Sequence, residues 1–212
     1  MLFRSALAVM EFGMHRPTQC IQAAKFGYEA YCIEPSPPSF KECQERVDGQ
    51  VEEKEVRDRI HLHNVAAGDA PGMVDFRAEG STGDMVGKGV IDLWTMTKSD
   101  KSNENNPSDG KNIVQVRSVR LDDFISETIA PTSDIWLVKI DVQGFEPNVF
   151  RGLSESIRRG RIMYVLFEYW PKGMDFMRDE PFDGPGACEA SVRILTDLVS
   201  AGYKLFTLTV NV

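Results

Sequence analysis

Two carboxylates, Asp141 and Glu146, lie five positions apart in the segment KIDVQGFEP, which follows the apolar run IWLV. The apolar run predicts a buried strand, so Asp141 is expected at the strand end and partly withdrawn from water. A carboxylate in that position indicates a functional role, as a base, a partner for a ligand or a metal ligand. Glu146 falls at a predicted helix start, where the helix dipole alone favours an acid, and contact with a substrate is the second interpretation. Gln143, between the two, is a weaker candidate for the same site.

A second group of candidate residues follows the first two predicted strands. Glu11 and Gly13 end the first strand, and a glycine there lets the backbone approach a ligand closely. Glu34 ends the second strand about 20 residues later, at the position from which an acid accepts hydrogen bonds from both hydroxyls of a ribose. The alternatives are an ordinary turn glycine and a solvated acid before a proline. Because dinucleotide-dependent enzymes and methyltransferases share this arrangement, it predicts a nucleoside ligand and not a reaction.

The histidines and a later acid are weaker candidates. His15 lies in the loop after the first strand and could act as a base, although an ordinary loop histidine is the alternative. Glu168 closes the predicted strand YVLFE and could line an acceptor pocket. His61 and His63 share one face of a strand, but no third ligand has suitable spacing, so no metal site is expected. Pro17 stands where a phosphate-binding loop has a glycine, which disfavours NAD or a P-loop nucleotide.

Short apolar runs alternate with helical patterns along the chain, and these elements must position the candidate residues. Strands are predicted in ALAVMEF, YEAYCIE, IHLHNVAAGD, GMVDFRAE, NIVQVRSV, DIWLVKI, RIMYVLFE and KLFTLTV. The alternation predicts an α/β fold with a doubly wound, mostly parallel sheet covered by helices on both faces. Ligands of such sheets bind at the carboxyl ends of the strands, where the strand order reverses. We expect one domain over residues 1–212, with a mobile polar loop over 98–111.

Charge and composition restrict the partners. The chain has 24 basic and 32 acidic residues, a net charge of −8, and no Lys/Arg stripe, so no nucleic-acid partner is expected. No apolar run approaches the ~20 residues that span a bilayer, so no membrane partner is expected either. The four cysteines include no C-x-x-C pair, which predicts reduced thiols and a cytoplasmic location.

Several blocks of the chain resemble the FkbM family of methyltransferases. SVRLDDFI, followed by DIWLVKIDVQGFEPNVFRGL, is similar to the family signature "tLDdl…lKiDvEGaE..vl.Ga". GYEAYCIEPSPPSF, NVAAGDAPGMVDF and YVLFEYWP are similar to the second-strand, third-strand and later-strand segments of the family. The resemblance extends from about Val9 to Leu208 and therefore covers nearly the whole chain.

The resemblance implies a Rossmann-like class I methyltransferase fold that binds S-adenosylmethionine and usually methylates a hydroxyl of a small molecule or carbohydrate. Glu11 and Gly13 would face the methionine end of the cofactor, and Glu34 would hold the ribose. The Ala66–Ala67 turn would lie along the adenine. Asp141 would sit beside the transferred methyl group or the amino group of the cofactor.

In a methyl transfer the catalytic residues would be Asp141 and His15, either of which could take the hydroxyl proton of the acceptor. Glu146 and Glu168 would contact the acceptor. In-line positioning of the acceptor oxygen and the methyl group would be the main task of the protein.

The chain departs from the family pattern in its first loop, which reads EFGMHRPTQC where the family tends to D-x-G-A-N-x-G. Gln143 also stands where Glu is common, and the sheet could lack the terminal strand. The altered first loop bears on cofactor affinity and motivates the alternative of a non-catalytic binding module with the same fold. A nicotinamide-dependent oxidoreductase is a more distant alternative, because G-x-G-x-x-G is missing.

Overall fold

The computed structural model describes residues 7–78, 85–86, 113–131, 133–176 and 188–208. The strands are β1 (Ala8–Phe12), β2 (Glu29–Ile33), β3 (Ile60–His63), β4 (Ala66–Gly68), β5 (Gly72–Arg77), β6 (Met85–Val86), β7 (Ile113–Arg120), β8 (Ile135–Ile140) and β9 (Ile162–Phe167). The helices are α1 (Thr18–Lys25), α2 (Pro37–Gln50), α3 (Lys54–Arg57), α4 (Leu121–Thr128), α5 (Glu146–Gly152), α6 (Ser154–Arg158), α7 (Pro171–Phe176) and α8 (Glu189–Ser200). The loop expected over 98–111 lies outside the described residues.

Five strands form a parallel sheet in the order β3-β2-β1-β8-β9. The strand order reverses beside β1, because β2 and β3 extend the sheet on one side and β8 and β9 on the other. This is the doubly wound arrangement expected from the alternation of strands and helices, so the predicted fold class is confirmed. Helices α4, α5 and α6 pack on one face of this sheet and α1 and α2 on the other, as the apolar character of the central strands requires. Met10, Phe12, Ile33, Val138 and Ile140 are completely buried at its centre.

A second sheet has the order β4-β7-β5-β6 and contains antiparallel pairs. The single strand expected over IHLHNVAAGD is two strands, because the chain leaves the parallel sheet after His63 and pairs with β7 from Ala66. The extra strand expected at GMVDFRAE is β5. A close approach of α5 fixes the position of β4, since a Cβ added at Gly152 would overlap the carbonyl oxygen of Gly68.

The carboxyl-terminal helix α8 ends before Gly202, as expected for a glycine with a positive φ of 95°. The strand expected after it is not formed by residues 203–208, the described part of that segment. Among the helices of the described ranges, none is long and apolar enough to cross a bilayer.

The expectation of four reduced cysteines is wrong for Cys20 and Cys32, which form a disulfide. Helix α1 packs across β2, and this packing brings the two Cα atoms to 6.3 Å, within the usual range for a disulfide. Both residues are buried, as their positions in a helix and a strand predicted. The bond removes the thiol-based reason for expecting a cytoplasmic location.

Reduction of this disulfide should lower the free energy of unfolding by about 2–3 kcal/mol, because the unfolded chain loses a short closed loop. Urea unfolding with and without a reductant measures the effect. The variant Cys20→Ser/Cys32→Ser should show no response to the reductant, since the remaining cysteines do not form this bond. An equal response in wild type and variant would contradict the prediction.

Candidate active site

The strand ends of β1, β2, β8 and β9 meet at one edge of the parallel sheet. The backbone N–H of Gly13 donates to the carbonyl of Ile33, and that of Asp141 donates to the carbonyl of Phe12. The backbone N–H of Glu168 donates to the carbonyl of Ile140. These bonds place Glu34 and Asp141 on either side of Gly13, where the strand order reverses. Glu34 and Asp141, which come from distant segments, therefore lie at the same edge of the sheet.

Gly13 is required where β1 turns into the first loop (residues 13–17). Its φ is +78°, in the region that favours glycine, and a Cβ there would overlap the carbonyl oxygen of Asp141. The sequence suggested that Gly13 allows a ligand to come close, but the group that comes close to Gly13 is the backbone carbonyl of Asp141. Gly13 therefore contacts the ends of both β2 and β8, the strands that precede Glu34 and Asp141.

Glu34 is held by the main chain. One carboxylate oxygen accepts a hydrogen bond from the N–H of His15 at 2.9 Å, and the other accepts one from the N–H of Ser36 at 2.8 Å. Its side chain is enclosed under the first loop, and the residue is only 4% exposed. A carboxylate oxygen can accept more than one hydrogen bond, so these contacts are compatible with a ribose contact.

His15 is fixed by its backbone. Its φ is +38°, its N–H donates to Glu34, and its carbonyl accepts a hydrogen bond from the buried thiol of Cys43 at 3.4 Å. Burial, together with the nearby charge of Glu34, raises the pKa of the Cys43 thiol to about 12, so the group stays a donor. The backbone of His15, the predicted second base, is therefore held in place by Glu34 and Cys43.

Lys139 joins the two carboxylates nearest the sheet. Glu11 and Lys139 are register partners on β1 and β8, so their side chains share one face. The ammonium lies 2.9 Å from Oε1 of Glu11 and 3.7 Å from Oδ2 of Asp141. Burial raises the pKa of Glu11, whereas Lys139 acts to lower it. Glu11 is only 2% exposed and also lies against Cys20, with Sγ 3.2 Å from Oε2.

Gln143 bridges the acids at the rim. Its amide donates to Oδ1 of Asp141 at 2.9 Å and to Oε2 of Glu168 at 3.3 Å. Partial burial and the charge of Asp141 raise the pKa of Glu168. Asp141 has 39% of its side chain exposed, so it is the more accessible of the two acids bound by Lys139. A solvent-open groove of about 870 Å³ between α5 and α8 begins beside this rim, at Gly144.

Comparison with known proteins identifies the chain. The family model described as "Methyltransferase FkbM domain" matches residues 11–205. The chain belongs to the FkbM methyltransferase family. It is 30% identical over 144 residues to 2-O-methyltransferase NoeI of Sinorhizobium fredii (strain NBRC 101917 / NGR234), and the match covers 66% of this chain. The chain spans about half of that relative, 53% of its length.

The fold of this FkbM methyltransferase domain also matches a solved structure. The crystal structure of Methyltransferase FkbM from Methylobacillus flagellatus KT superimposes with a TM-score of 0.52 at 14% identity. The match covers 92% of this chain and 40% of that one. At this identity the likeness supports the Rossmann-like fold alone. The family resemblance drawn from the Asp141 block is confirmed.

The turn expected at Ala66–Ala67 is instead part of strand β4 of the FkbM domain, and both residues are buried. They follow Asn64, whose side-chain amide donates to the carbonyls of Glu34 at 2.8 Å and Pro35 at 3.0 Å. Sequence reasoning missed these two hydrogen bonds of Asn64 and the Glu11–Lys139 ion pair. The spacing puts Lys139 two positions before Asp141 and so on the same face, but it does not indicate the contact with Glu11, which depends on the register of β1 and β8.

The two histidines of β3 have structural surroundings. His61 lies 2.8 Å from a Glu29 carboxylate oxygen, and its ring stacks on Tyr31. His63 meets Phe124 edge to face, and its buried Nε2 has no hydrogen-bond partner. Burial and the nearby His61 lower the pKa of His63. Within the described ranges, no group of three or more His, Cys, Asp or Glu side chains is arranged to hold a metal ion.

Glu146 is completely buried at the start of α5. One carboxylate oxygen accepts a hydrogen bond from the N–H of Val142 at 3.1 Å, and the other has no partner. Burial raises the pKa of Glu146 to about 7. Through its hydrogen bond with Val142, Glu146 stabilises the loop between β8 and α5, which begins at Asp141. Its position at a helix start suggested such a structural role.

Glu146→Gln should make stability less dependent on pH. The raised pKa means that Glu146 favours the folded state below pH 4.5 and that this contribution is lost as the pH rises through about 7. The amide can still accept from Val142 and carries no charge, so the variant should gain roughly 1–3 kcal/mol relative to wild type between pH 5 and pH 8. Urea unfolding of both proteins across this range measures the difference. A constant difference would contradict the pKa of Glu146.

Proposed function

We propose that the chain binds S-adenosylmethionine at the edge formed by Gly13, Glu34 and Asp141 and transfers its methyl group to a hydroxyl of a small molecule or carbohydrate. The observation that supports this most is the position of two acidic residues from distant segments on either side of Gly13, where ligands of doubly wound sheets bind. Membership of the family supports methyl transfer, and the name of the relative from Sinorhizobium fredii supports an oxygen acceptor.

The residues at the edge fit an adenosyl group. The carboxylate of Glu34 matches the two hydroxyls of a ribose, and Glu11 and the backbone of Gly13 are the groups that we propose for the methionine end. The β4 backbone at Ala66 and Ala67 is the part of these residues that we propose for contact with the adenine, because both side chains are buried in the core. Because Glu34 is almost enclosed, we expect the first loop to shift when the ribose reaches it.

Asp141 is the residue that we propose as the base. Its carboxylate is oriented by Gln143 and Lys139 and remains partly exposed, so it can receive the proton of an acceptor hydroxyl. When bound, the cofactor supplies a methyl group that its sulfonium has already activated. Glu168 shares Gln143 with Asp141 and can hold the acceptor at the rim, and His15 is the second candidate for the proton. Glu146 contributes by fixing the loop that carries Asp141.

Calorimetry with S-adenosylhomocysteine tests the cofactor. We expect saturable binding, and the matched titration with NADH should show none. Absence of heat with S-adenosylhomocysteine at millimolar concentration would contradict the proposal. Binding of NADH in its place would favour an oxidoreductase.

A non-catalytic binding module is the second candidate, because the first loop has Glu11 and Pro17 where the family tends to Asp and Gly. Labelled S-adenosylmethionine, incubated with sugars and other small hydroxyl compounds, distinguishes the two candidates. Transfer of label that is lost in Asp141→Asn supports the enzyme. Tight cofactor binding without transfer to any acceptor class supports the module.

A further inference from the structure

Three prolines limit hydrogen bonding in the segment that carries Glu34. The chain reads Glu34-Pro35-Ser36-Pro37-Pro38, so three of these five residues have no backbone N–H. The ladder between β2 and β3 ends at the Ile33–His63 pair, and the N–H of Glu34 makes the last bond, to the carbonyl of His63. The prolines therefore offer no N–H to the carbonyls of Glu34 and Pro35, which accept from Asn64 instead.

Asn64 supplies both donors. It follows β3 directly, and its single amide nitrogen donates to the carbonyls of Glu34 and Pro35. An amide NH₂ has two protons, so both are used to hold the neighbouring segment. The carboxylate of Glu34 takes its orientation from the N–H groups of Ser36 and His15, and the position of Ser36 depends on this same backbone path.

We infer that Asn64 is a positioning residue for nucleoside recognition: it fixes the backbone at Glu34 and Pro35 so that the Glu34 carboxylate can accept both ribose hydroxyls. The inference rests on the proposed function, since it concerns the ligand of the same edge. Asn64 acts through Glu34, and its effect is specific to the ribose.

The test compares S-adenosylhomocysteine with its 2′-deoxyribose analogue, which lacks one of the two hydroxyls. Calorimetry with wild type should show a preference for the ribose ligand of about 10-fold or more, the usual value of hydrogen bonds to a charged group. Asn64→Ala should weaken S-adenosylhomocysteine by about 10-fold and reduce the preference to within about 3-fold, because the deoxy analogue depends less on Glu34.

Two controls separate positioning from general loss of structure. Gln115→Ala removes a side-chain hydrogen bond to Asp75 in the second sheet and should leave both affinities unchanged. In a background of Glu34→Ala, the further change Asn64→Ala should have no additional effect on affinity, because the two residues act as one unit. Thermal unfolding confirms that each variant is folded.

The outcomes are distinguishable. If Asn64→Ala weakens both ligands equally and keeps the wild-type preference, or changes neither affinity, the inference is overturned while the cofactor proposal stands. An additive effect of Asn64→Ala on Glu34→Ala also overturns it. If wild type does not bind S-adenosylhomocysteine, the proposed function fails, and the inference fails with it.

Discussion

Gly13→Ala is expected to lower the free energy of unfolding by roughly 3–5 kcal/mol and to abolish binding of S-adenosylhomocysteine. A Cβ at this position would overlap a backbone oxygen of Asp141, which cannot move as a flexible side chain can. The φ of +78° adds about 1–2 kcal/mol, because side chains disfavour the left-handed region. Urea unfolding and calorimetry measure the two effects. The loss of stability and the loss of binding have the same cause, because β1 and β8 must separate to make room for the alanine side chain.

Two other glycines isolate the steric contribution. Gly27 has a φ of +89° and open space around its Cα, so Gly27→Ala should show only the backbone cost of about 1–2 kcal/mol. Gly49 also has open space and lies in α2, where Gly49→Ala should be neutral or stabilising by up to about 1 kcal/mol. Equal losses for Gly13→Ala and Gly27→Ala would show that the contact with Asp141 does not restrict the site.

Lys139→Met should destabilise the protein by about 3–5 kcal/mol at pH 8, because it leaves the buried Glu11 carboxylate without its cation. Burial already raises the pKa of Glu11, and loss of Lys139 removes the main group that lowers it. A raised carboxyl pKa means that stability falls as the pH rises, so the loss should be smaller at pH 5 than at pH 8. Urea unfolding at both pH values measures it.

The double variant Glu11→Gln/Lys139→Met is the main control. It removes both charges, so most of the lost stability should return, since no unpaired buried charge remains. Lys54→Met is a second control. It breaks the ion pair between Lys54 and Asp58, both of which are exposed, and should change the free energy of unfolding by less than about 1 kcal/mol. A double variant as unstable as Lys139→Met would show that packing of the lysine, and not the ion pair, stabilises this edge.

The strand ends could be predicted because a strand in a parallel sheet shows itself as a short apolar run. The predicted runs ALAVMEF, YEAYCIE and DIWLVKI correspond to β1, β2 and β8, although each begins one or two residues before the observed strand and YEAYCIE also ends one residue after it. Parallel strands bring their carboxyl ends to one edge, so the convergence of Glu34 and Asp141 followed from the order of elements. The same reasoning did not separate β3 from β4, since a continuous apolar run does not show where the chain changes sheet.

The partners of the candidate residues could not be predicted from the sequence. Glu11 and Lys139 are 128 positions apart, and Asn64 and Glu34 are 30 apart. Their contacts depend on the register of neighbouring strands, which the residue types alone do not specify. The disulfide between Cys20 and Cys32 could not be predicted for a similar reason, because it depends on where α1 packs along β2. Glu146 was correctly placed at a helix start, but its complete burial depends on how α5 packs.

The sequence by itself determined the α/β class, the family, and the set of polar residues at the strand ends, because these depend on local periodicity and motif spacing. Only the tertiary structure decided which of these residues are enclosed and which are accessible. Glu11 and Glu34 became buried and paired with groups from other segments, and Glu146 became buried with a hydrogen bond from its own loop, whereas Asp141 and Glu168 stayed at the rim. The physical reason is that burial and charge pairing are set by the packing of segments distant in the chain, and that packing decides which carboxylates can meet a ligand.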